Sequence, residues 1–491
     1  MKSSSQLLYQ QAMAYYRQGR RPQAIQSYRR LLEAEPGFAD GWYDLAYLLK
    51  QQGKHDEAIA AYQQALRHGV REPEEVHLNC AVIYSDHLRQ GQDAEQSLRD
   101  ALALNPNYAP AHLNLGNLFE ERGLREEAVG SYEAILSAPE RVEDHLQLEA
   151  LARLSQLRPP QGPHDPILIR LRTVAAAATG SEPQTQANLY FALGRALDSL
   201  QLYDEAFAAF AKANQAAAKV GPAYSAKAAQ AQFDAVIASS APITDSQPVA
   251  AQTLEPLFVC GMFRSGSTLI EQVISGHAAI SGGGELDHFP RLASSLRGEL
   301  SAAQAQSWSQ EYLSHLKRIS NDEKQLRYVT DKRPDNFALI GLIKQVFPRA
   351  KIIHTIRHPL DNGLSLYVQH LDQRVAPHAS DLTAIGHYYG LYRRLMEHWV
   401  SCYGADIHHF DYDAFVSDPQ PQLDRLFEFL DLPNDPNCLQ FHQRRNTVKT
   451  ASYWQVRRPL YRDASGRWRN YQSHLNPLRD ALRAAGITDL A

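Results

Sequence analysis

Along residues 1–160 apolar and polar positions alternate with a helical period, and that pattern itself repeats. The small residues Ala24, Ala58, Ala94 and Ala128 stand 34, 36 and 34 residues apart. Four positions after each come Tyr28, Tyr62, Leu98 and Tyr132. Five positions before stand Gly19, Gly53 and Gly123, with Arg89 in the third unit and Gly91 slightly displaced. This spacing predicts pairs of antiparallel helices, the small residue allowing close approach and the aromatic filling the gap between neighbouring pairs. After Pro159-Pro160-Gln161-Gly162-Pro163 the form returns once, as Leu193-Gly194, Tyr203-Asp204-Glu205-Ala206, Phe210 and Ala213. Residues 161–248 are therefore expected to form further helical hairpins with one divergent repeat. From residue 249 to 491 short apolar runs separate helical stretches, which predicts an α/β domain.

The repeat unit resembles the tetratricopeptide repeat, a likeness also carried by Pro36, Trp42, Pro106 and Leu115-Gly116. The resemblance implies a concave surface for a peptide or protein partner, or a brace for a neighbouring domain. The sequence leaves both open.

The α/β region opens with the apolar run Leu257-Phe258-Val259-Cys260, breaks at Gly261, and passes through Arg264-Ser265-Gly266 into Thr268-Leu269-Ile270. A strand, a glycine-bounded loop and a helix start form an anion site, because unpaired backbone N–H groups and the helix dipole converge there. Gly261 to Thr268 has Walker A spacing, but Ser267 stands in place of the lysine, and positive charge comes from Arg264. Two later strands end in cations. Tyr328-Val329-Thr330-Asp331-Lys332 leads into Arg333-Pro334, and Ile352-Ile353-His354-Thr355-Ile356 into Arg357, with Ser365 on the following helix. In a parallel sheet Arg264, Lys332 and Arg357 should face one crevice, which implies a polyanionic ligand.

Bulk composition narrows the classes. At 491 residues the chain should form two or three domains, and its net charge of −4 divides into about −6 before residue 250 and +2 after it. Neither half has the charge of a general nucleic-acid binder. Cys80, Cys260, Cys402 and Cys438 are widely spaced, which predicts reduced thiols rather than a disulfide framework. With no apolar leader and no apolar run of spanning length, a cytoplasmic location is expected. His354/His358 and His408-His409 lack a ligand set, so no metal is expected.

Residues 254–491 resemble sulfotransferases that use 3′-phosphoadenosine 5′-phosphosulfate (PAPS), and most of all the tyrosylprotein branch. Phe263 to Leu269, Gly284-Glu285, Lys332-Arg333-Pro334, Arg357-His358-Pro359 with Ser365, Tyr412-Asp413, and Ser452 with Gln455 to Pro459 carry the likeness in order. It implies a P-loop-like domain, a parallel sheet flanked by helices, after an all-α repeat solenoid. Arg264, Ser265, Gly266, Ser267 and Thr268 would cradle the 5′-phosphosulfate, while Arg357 and Ser365 would hold the 3′-phosphate. Tyr412 would pack near the nucleotide, with Ser452 and Arg458 closing over it. Glu285 would be the general base, with Asp287 and His288 as neighbours able to replace it. Lys332 and Arg264 would stabilise charge on the transferring group.

The product would be adenosine 3′,5′-bisphosphate. The acceptor would be a hydroxyl, best a tyrosine of a peptide partly held by the repeats. A saccharide or small-molecule hydroxyl, an inactive scaffold and a P-loop kinase are the alternatives, and a homodimer stays open. Two positions depart from the family. Gln369 stands where an arginine is expected, and Arg458 where the family has lysine. The segment Arg444 to Arg469 is basic, with Asp463 as its one acid.

Overall fold

The computed structural model describes residues 3–88, 90–137, 144–178, 180–239, 254–320, 326–444 and 455–490. The chain divides into two compact units, Met1–Leu157 and Arg158–Ala491.

The first unit is four antiparallel helical hairpins and a closing helix. The pairs are Ser3–Arg17 with Arg21–Ala34, Ala39–Gln51 with His55–Arg67, Pro73–Val82 with Gly91–Leu104, and Ala109–Arg122 with Arg125–Ser137; Asp144–Leu157 follows. Ala24, Ala58, Ala94 and Ala128 all lie on second helices and are fully buried, as are Tyr62 and Tyr132. Contact is close where the spacing demands it: a Cβ on Gly116 would stand 2.6 Å from the Tyr132 ring. Gly19, Gly53 and Gly123 take positive φ between their helices, which glycine does without steric cost. The third hairpin differs. Its first helix runs on into a π-helical turn, Ile83–His87, which absorbs extra residues of the 36-residue spacing.

In the second unit the helices Pro166–Ala177, Pro183–Ser199, Tyr203–Ala217 and Ala226–Ala238 precede a five-stranded parallel sheet. Pro183–Ser199 and Tyr203–Ala217 repeat the hairpin geometry, since a Cβ on Gly194 would meet Phe210 at 2.5 Å. The strands are β1 (Glu255–Gly261), β2 (Ile280–Ser281), β3 (Tyr328–Lys332), β4 (Lys351–Ile356) and β5 (Ile407–Asp411), in the order β2-β3-β1-β4-β5. β1 is central and nearly all buried, as its apolar run requires. Because the chain leaves β1 toward β3 on one side and β4 on the other, the end of β1 is a topological switch point. The register pairs Val259 with Lys332 and Gly261 with Thr355, so the loop after β1 and the ends of β3 and β4 share one edge.

The helical hairpin is built into this unit. Phe207 stacks on Tyr367 at 5.4 Å and Phe233 packs on Phe337 at 6.3 Å between ring centres. The buried Asn214 amide donates to the Tyr367 carbonyl at 2.8 Å. Cys80, Cys260, Cys402 and Cys438 are free thiols. Among the described residues no helix is long and apolar enough to cross a membrane.

Candidate functional site

The loop after β1 is held by its neighbours rather than by its own length. The Ser265 hydroxyl lies 2.6 Å from the Thr355 hydroxyl, which itself donates to the Cys260 carbonyl at 3.1 Å. Gly261 leaves space for this contact, since a Cβ there would sit 2.4 Å from the Thr355 carbonyl oxygen. Arg264 adopts φ 70°, a left-handed value uncommon for a side-chain-bearing residue and the kind found where a loop is shaped for a ligand. Gly266, at φ 102°, precedes the helix Ser267–Ile274, whose start carries no side-chain cap. Its first N–H groups are thus directed at whatever anion enters. A Cβ on Gly266 would strike the Tyr412 ring at 2.6 Å, so Tyr412 forms the wall facing the loop.

Two of the three cations at the strand ends, Arg264 and Arg357, meet. The Arg264 Nε–H donates to Ser365 Oγ at 3.2 Å, and Arg357 donates to the Arg264 carbonyl at 3.2 Å. Arg357 also donates to the Ala464 carbonyl and lies over the Tyr412 ring at 4.8 Å. Burial pushes the Arg264 guanidinium down to about 10, with Arg357 as the next cause. Among the described residues the buried Arg357 Nε–H has no hydrogen-bond partner. Two guanidinium groups held side by side, with a donor unused, fit an anionic ligand of more than one charge.

Lys332 is fully buried, and its ammonium meets Glu285 Oε1 at 2.5 Å; the Glu285 side chain is 42% exposed. The other two acids and bases near Glu285 are engaged elsewhere. Asp287 pairs with Arg333 at 2.7 Å, and His288 packs against Tyr312, its charge disfavoured first by burial. Asp331, next to Lys332, turns to the opposite face of β3, accepting from the Tyr312 hydroxyl at 2.6 Å and from Asn336 at 3.2 Å. Burial raises its carboxyl to about 7.

A cavity of about 110 Å³ joins these groups, lined by Arg264, Gly266, Ser267, Thr268, Glu285, Arg357, Ser365 and Tyr412 among others. It is small beside the roughly 300–1,000 Å³ of most ligand pockets, and Leu460, Tyr461 and Ala464 are also in its lining. Arg458 is exposed, over the Tyr461 ring at 5.1 Å, and is not among the lining residues. Arg467 lines the cavity instead. Its guanidinium pairs with Asp198 at 2.5 Å, and the Tyr471 hydroxyl donates to the same carboxylate. The basic count of the segment pointed to this region, but nothing in its irregular pattern marks which arginine turns inward. Ser452 lies outside the described residues. A larger cleft of about 1030 Å³ shares Arg357 and Asp361 but includes neither the loop nor Glu285, and its lining mixes both signs of charge.

Comparison with known proteins accords with this geometry. Residues 256–436, which hold the loop, Glu285, Lys332, Arg357 and Tyr412, match the family model described as the Sulfotransferase family. The second unit carries a sulfotransferase-family domain. Tetratricopeptide-repeat models match residues 9–70, 87–141 and 187–219, the last being the hairpin built into the sulfotransferase unit.

An uncharacterized protein of Aquifex aeolicus (strain VF5) is 30% identical over 318 residues, 61% of this chain and 42% of its own length. The omega-hydroxy-beta-dihydromenaquinone-9 sulfotransferase of Mycobacterium bovis is 29% identical over 133 residues, 25% of this chain and 34% of that protein. The chain thus spans less than half the length of the curated relatives it matches. Among solved structures, the sulfotransferase domain of the Synechococcus PCC 7002 olefin synthase is 20% identical, with a TM-score of 0.37 over 50% of this chain and 98% of that one. The MamA protein is 19% identical, with a TM-score of 0.28 over 46% of this chain and 100% of that one.

Proposed function

We propose that the sulfotransferase domain transfers the sulfuryl group of PAPS to an acceptor hydroxyl, with a phenol such as a peptide tyrosine as the best acceptor. The observation that carries this reading is the meeting, in one cavity, of the helix start at Ser267, the Arg264–Arg357 pair and Glu285, which holds the buried Lys332 behind it. Arg264 to Thr268 would hold the 5′-phosphosulfate on backbone N–H groups and hydroxyls. Arg357, with its unused Nε–H, and Ser365 would take the 3′-phosphate. Arg467 stands ready on the same wall. PAPS supplies an activated sulfuryl group on a good leaving phosphate.

The chain's residues do the rest. A phenol of pKa about 10 is mostly protonated at neutral pH, so Glu285 would accept its proton as the oxygen attacks. Lys332 would exchange its contact with Glu285 for the oxygens that gain charge. Leu460 and Tyr461 add apolar surface to the same cavity. A magnesium-dependent kinase fits less well: Ser267 replaces the loop lysine, and Asp331 is committed to Tyr312 and Asn336.

The cavity lining also includes the apolar Phe263, Leu269, Leu371 and Phe441. That favours an aromatic or hydrocarbon alcohol over a sugar, whose hydroxyls would need polar partners. The similarity to an enzyme named for a hydroxylated menaquinone supports a second reading, sulfation of an apolar small-molecule alcohol.

The test is calorimetry on the full chain with a chelator present. Adenosine 3′,5′-bisphosphate should bind, and Arg357→Ala should lower its affinity roughly 10–100-fold, as loss of a charge-assisted pair does, while sparing the 3′-dephospho nucleotide. Preference for magnesium-ATP would overturn the reading.

A further inference from the structure

Glu285 follows Gly282-Gly283-Gly284, the kind of backbone with the most conformational freedom to lose. A catalytic carboxylate on such a tether needs to be held by something else. Four bonds do this. Glu271 Oε1 accepts from the Gly284 N–H at 2.9 Å and from the Thr330 hydroxyl at 2.6 Å. The same Thr330 oxygen accepts from the Gly283 N–H at 2.9 Å, and the Gly284 carbonyl accepts from the Lys332 N–H at 2.9 Å. Both glycine amides therefore end on one relay, and Gly284 is fixed from both sides.

Packing does not explain a carboxylate at this position. Glu271 is 4% exposed on a helix whose neighbours Ile270, Val273 and Ile274 are core residues. A buried carboxylate is costly unless its oxygens are satisfied, and here the two donors that satisfy it come from the base-bearing loop and from β3. Approach is tight enough that a Cβ on Gly283 would lie 2.1 Å from the Thr330 carbonyl oxygen. Glu271 also belongs to the helix that begins at the phosphate loop, so one side chain sets the separation of the anion cradle from Glu285.

We infer that Glu271, relayed through Thr330, is the positioning residue for the general base. This rests on the proposed role of Glu285. Glu271 itself touches no substrate; it acts by fixing where the base can be.

The experiment uses the full chain and four variants: Glu271→Ala, Glu271→Gln, Thr330→Val and Thr330→Ser. Three quantities are read: adenosine 3′,5′-bisphosphate affinity, turnover of PAPS with 4-nitrophenol, and hydrogen exchange of the Gly283 and Gly284 amides. In Glu271→Ala these amides should exchange about 100-fold faster or more, as local protection is lost. Its kcat should fall roughly 30–100-fold, the scale of an ångström of misplacement, while nucleotide affinity and the KM for PAPS stay within about threefold.

Thr330→Val should reproduce part of this. Thr330→Ser and Glu271→Gln, which keep the accepting oxygen, should restore most of the protection and rate. Unchanged exchange in both Glu271→Ala and Thr330→Val would overturn the clamp, as would full kcat in Glu271→Ala. If the parent chain fails to bind the bisphosphate, the sulfotransferase reading falls, and the exchange measurement alone still decides the clamp.

Discussion

The hairpin Pro183–Ala217 and the four hairpins of the first unit are built alike and used differently. In both, a glycine sits under an aromatic ring sixteen residues on, Gly116 under Tyr132 and Gly194 under Phe210. In the first unit polar groups on these helices bond to each other: Tyr28 donates to Asp44 at 2.8 Å, and Tyr132 to Asn117 at 2.7 Å. In the later hairpin they bond to the sulfotransferase domain. Asp198 takes Arg467 and Tyr471, while Asn214 takes the Tyr367 carbonyl. A repeat becomes part of an enzyme domain by changing a few buried polar residues while its packing rule stays the same.

The comparison breaks most visibly by deletion. Removing residues 158–238 strips the partners of Tyr367, Phe337 and Tyr471 and should abolish folding of the sulfotransferase domain. Removing residues 3–157 should leave its thermal transition and its bisphosphate binding in place. Calorimetric scans of the two truncations decide this, and a folded domain without 158–238 would refute it.

Asp198→Ala sharpens the contrast at one side chain. It leaves the partly buried Arg467 without its carboxylate, and should cost about 2 kcal/mol of stability and weaken bisphosphate binding about tenfold. Asp204, which pairs with His474 at 2.7 Å but is 89% exposed, should cost under about 0.5 kcal/mol on the same change. Urea melts and calorimetry read both.

Acid separates the two units through their buried histidines. In the second unit His354 and His378 are buried, the latter pushed down to about 3, so both stay neutral when the unfolded chain would protonate near pH 6.5. Asp331, raised to about 7, acts oppositely by being protonated when folded and ionised when unfolded. Between pH 6 and 4 these three leave the unfolded state with about one extra proton, so stability should fall by about 1.4 kcal/mol per pH unit. In the first unit His55 and His77 are lowered by burial, but less deeply enclosed. The second unit should therefore lose stability first on acidification, as separate transitions in circular dichroism would show.

How far the sequence could be read follows the same division. The repeat period and the loop after β1 were legible because periodic burial and glycine spacing leave local marks at Ala24, Ala58, Gly261 and Gly266. The 36-residue unit was visible as a length, though not as a π turn. That the divergent repeat would serve as a brace was not legible, because Asp198 and Arg467 are 269 positions apart and no pattern links them. Glu271 read as one position on a helix face, and its partners Gly284 and Thr330 meet it only once β2 and β3 are laid side by side. Arg458 was expected at the nucleotide and Arg467 was not, since an irregular segment has no period to say which side faces in.

The Asp198–Arg467 bridge also has a consequence in time. At about 5–20 residues per second of synthesis, the 269 positions between its partners take roughly 15–55 s to translate. Throughout that interval the hairpin waits for an arginine that has not yet been added to the chain. The β strands can pair meanwhile, yet the nucleotide wall stays open until the last helix emerges. A nascent chain stalled before residue 467 should carry a folded repeat array and no competent binding pocket. The chain closes the far wall of its nucleotide pocket last.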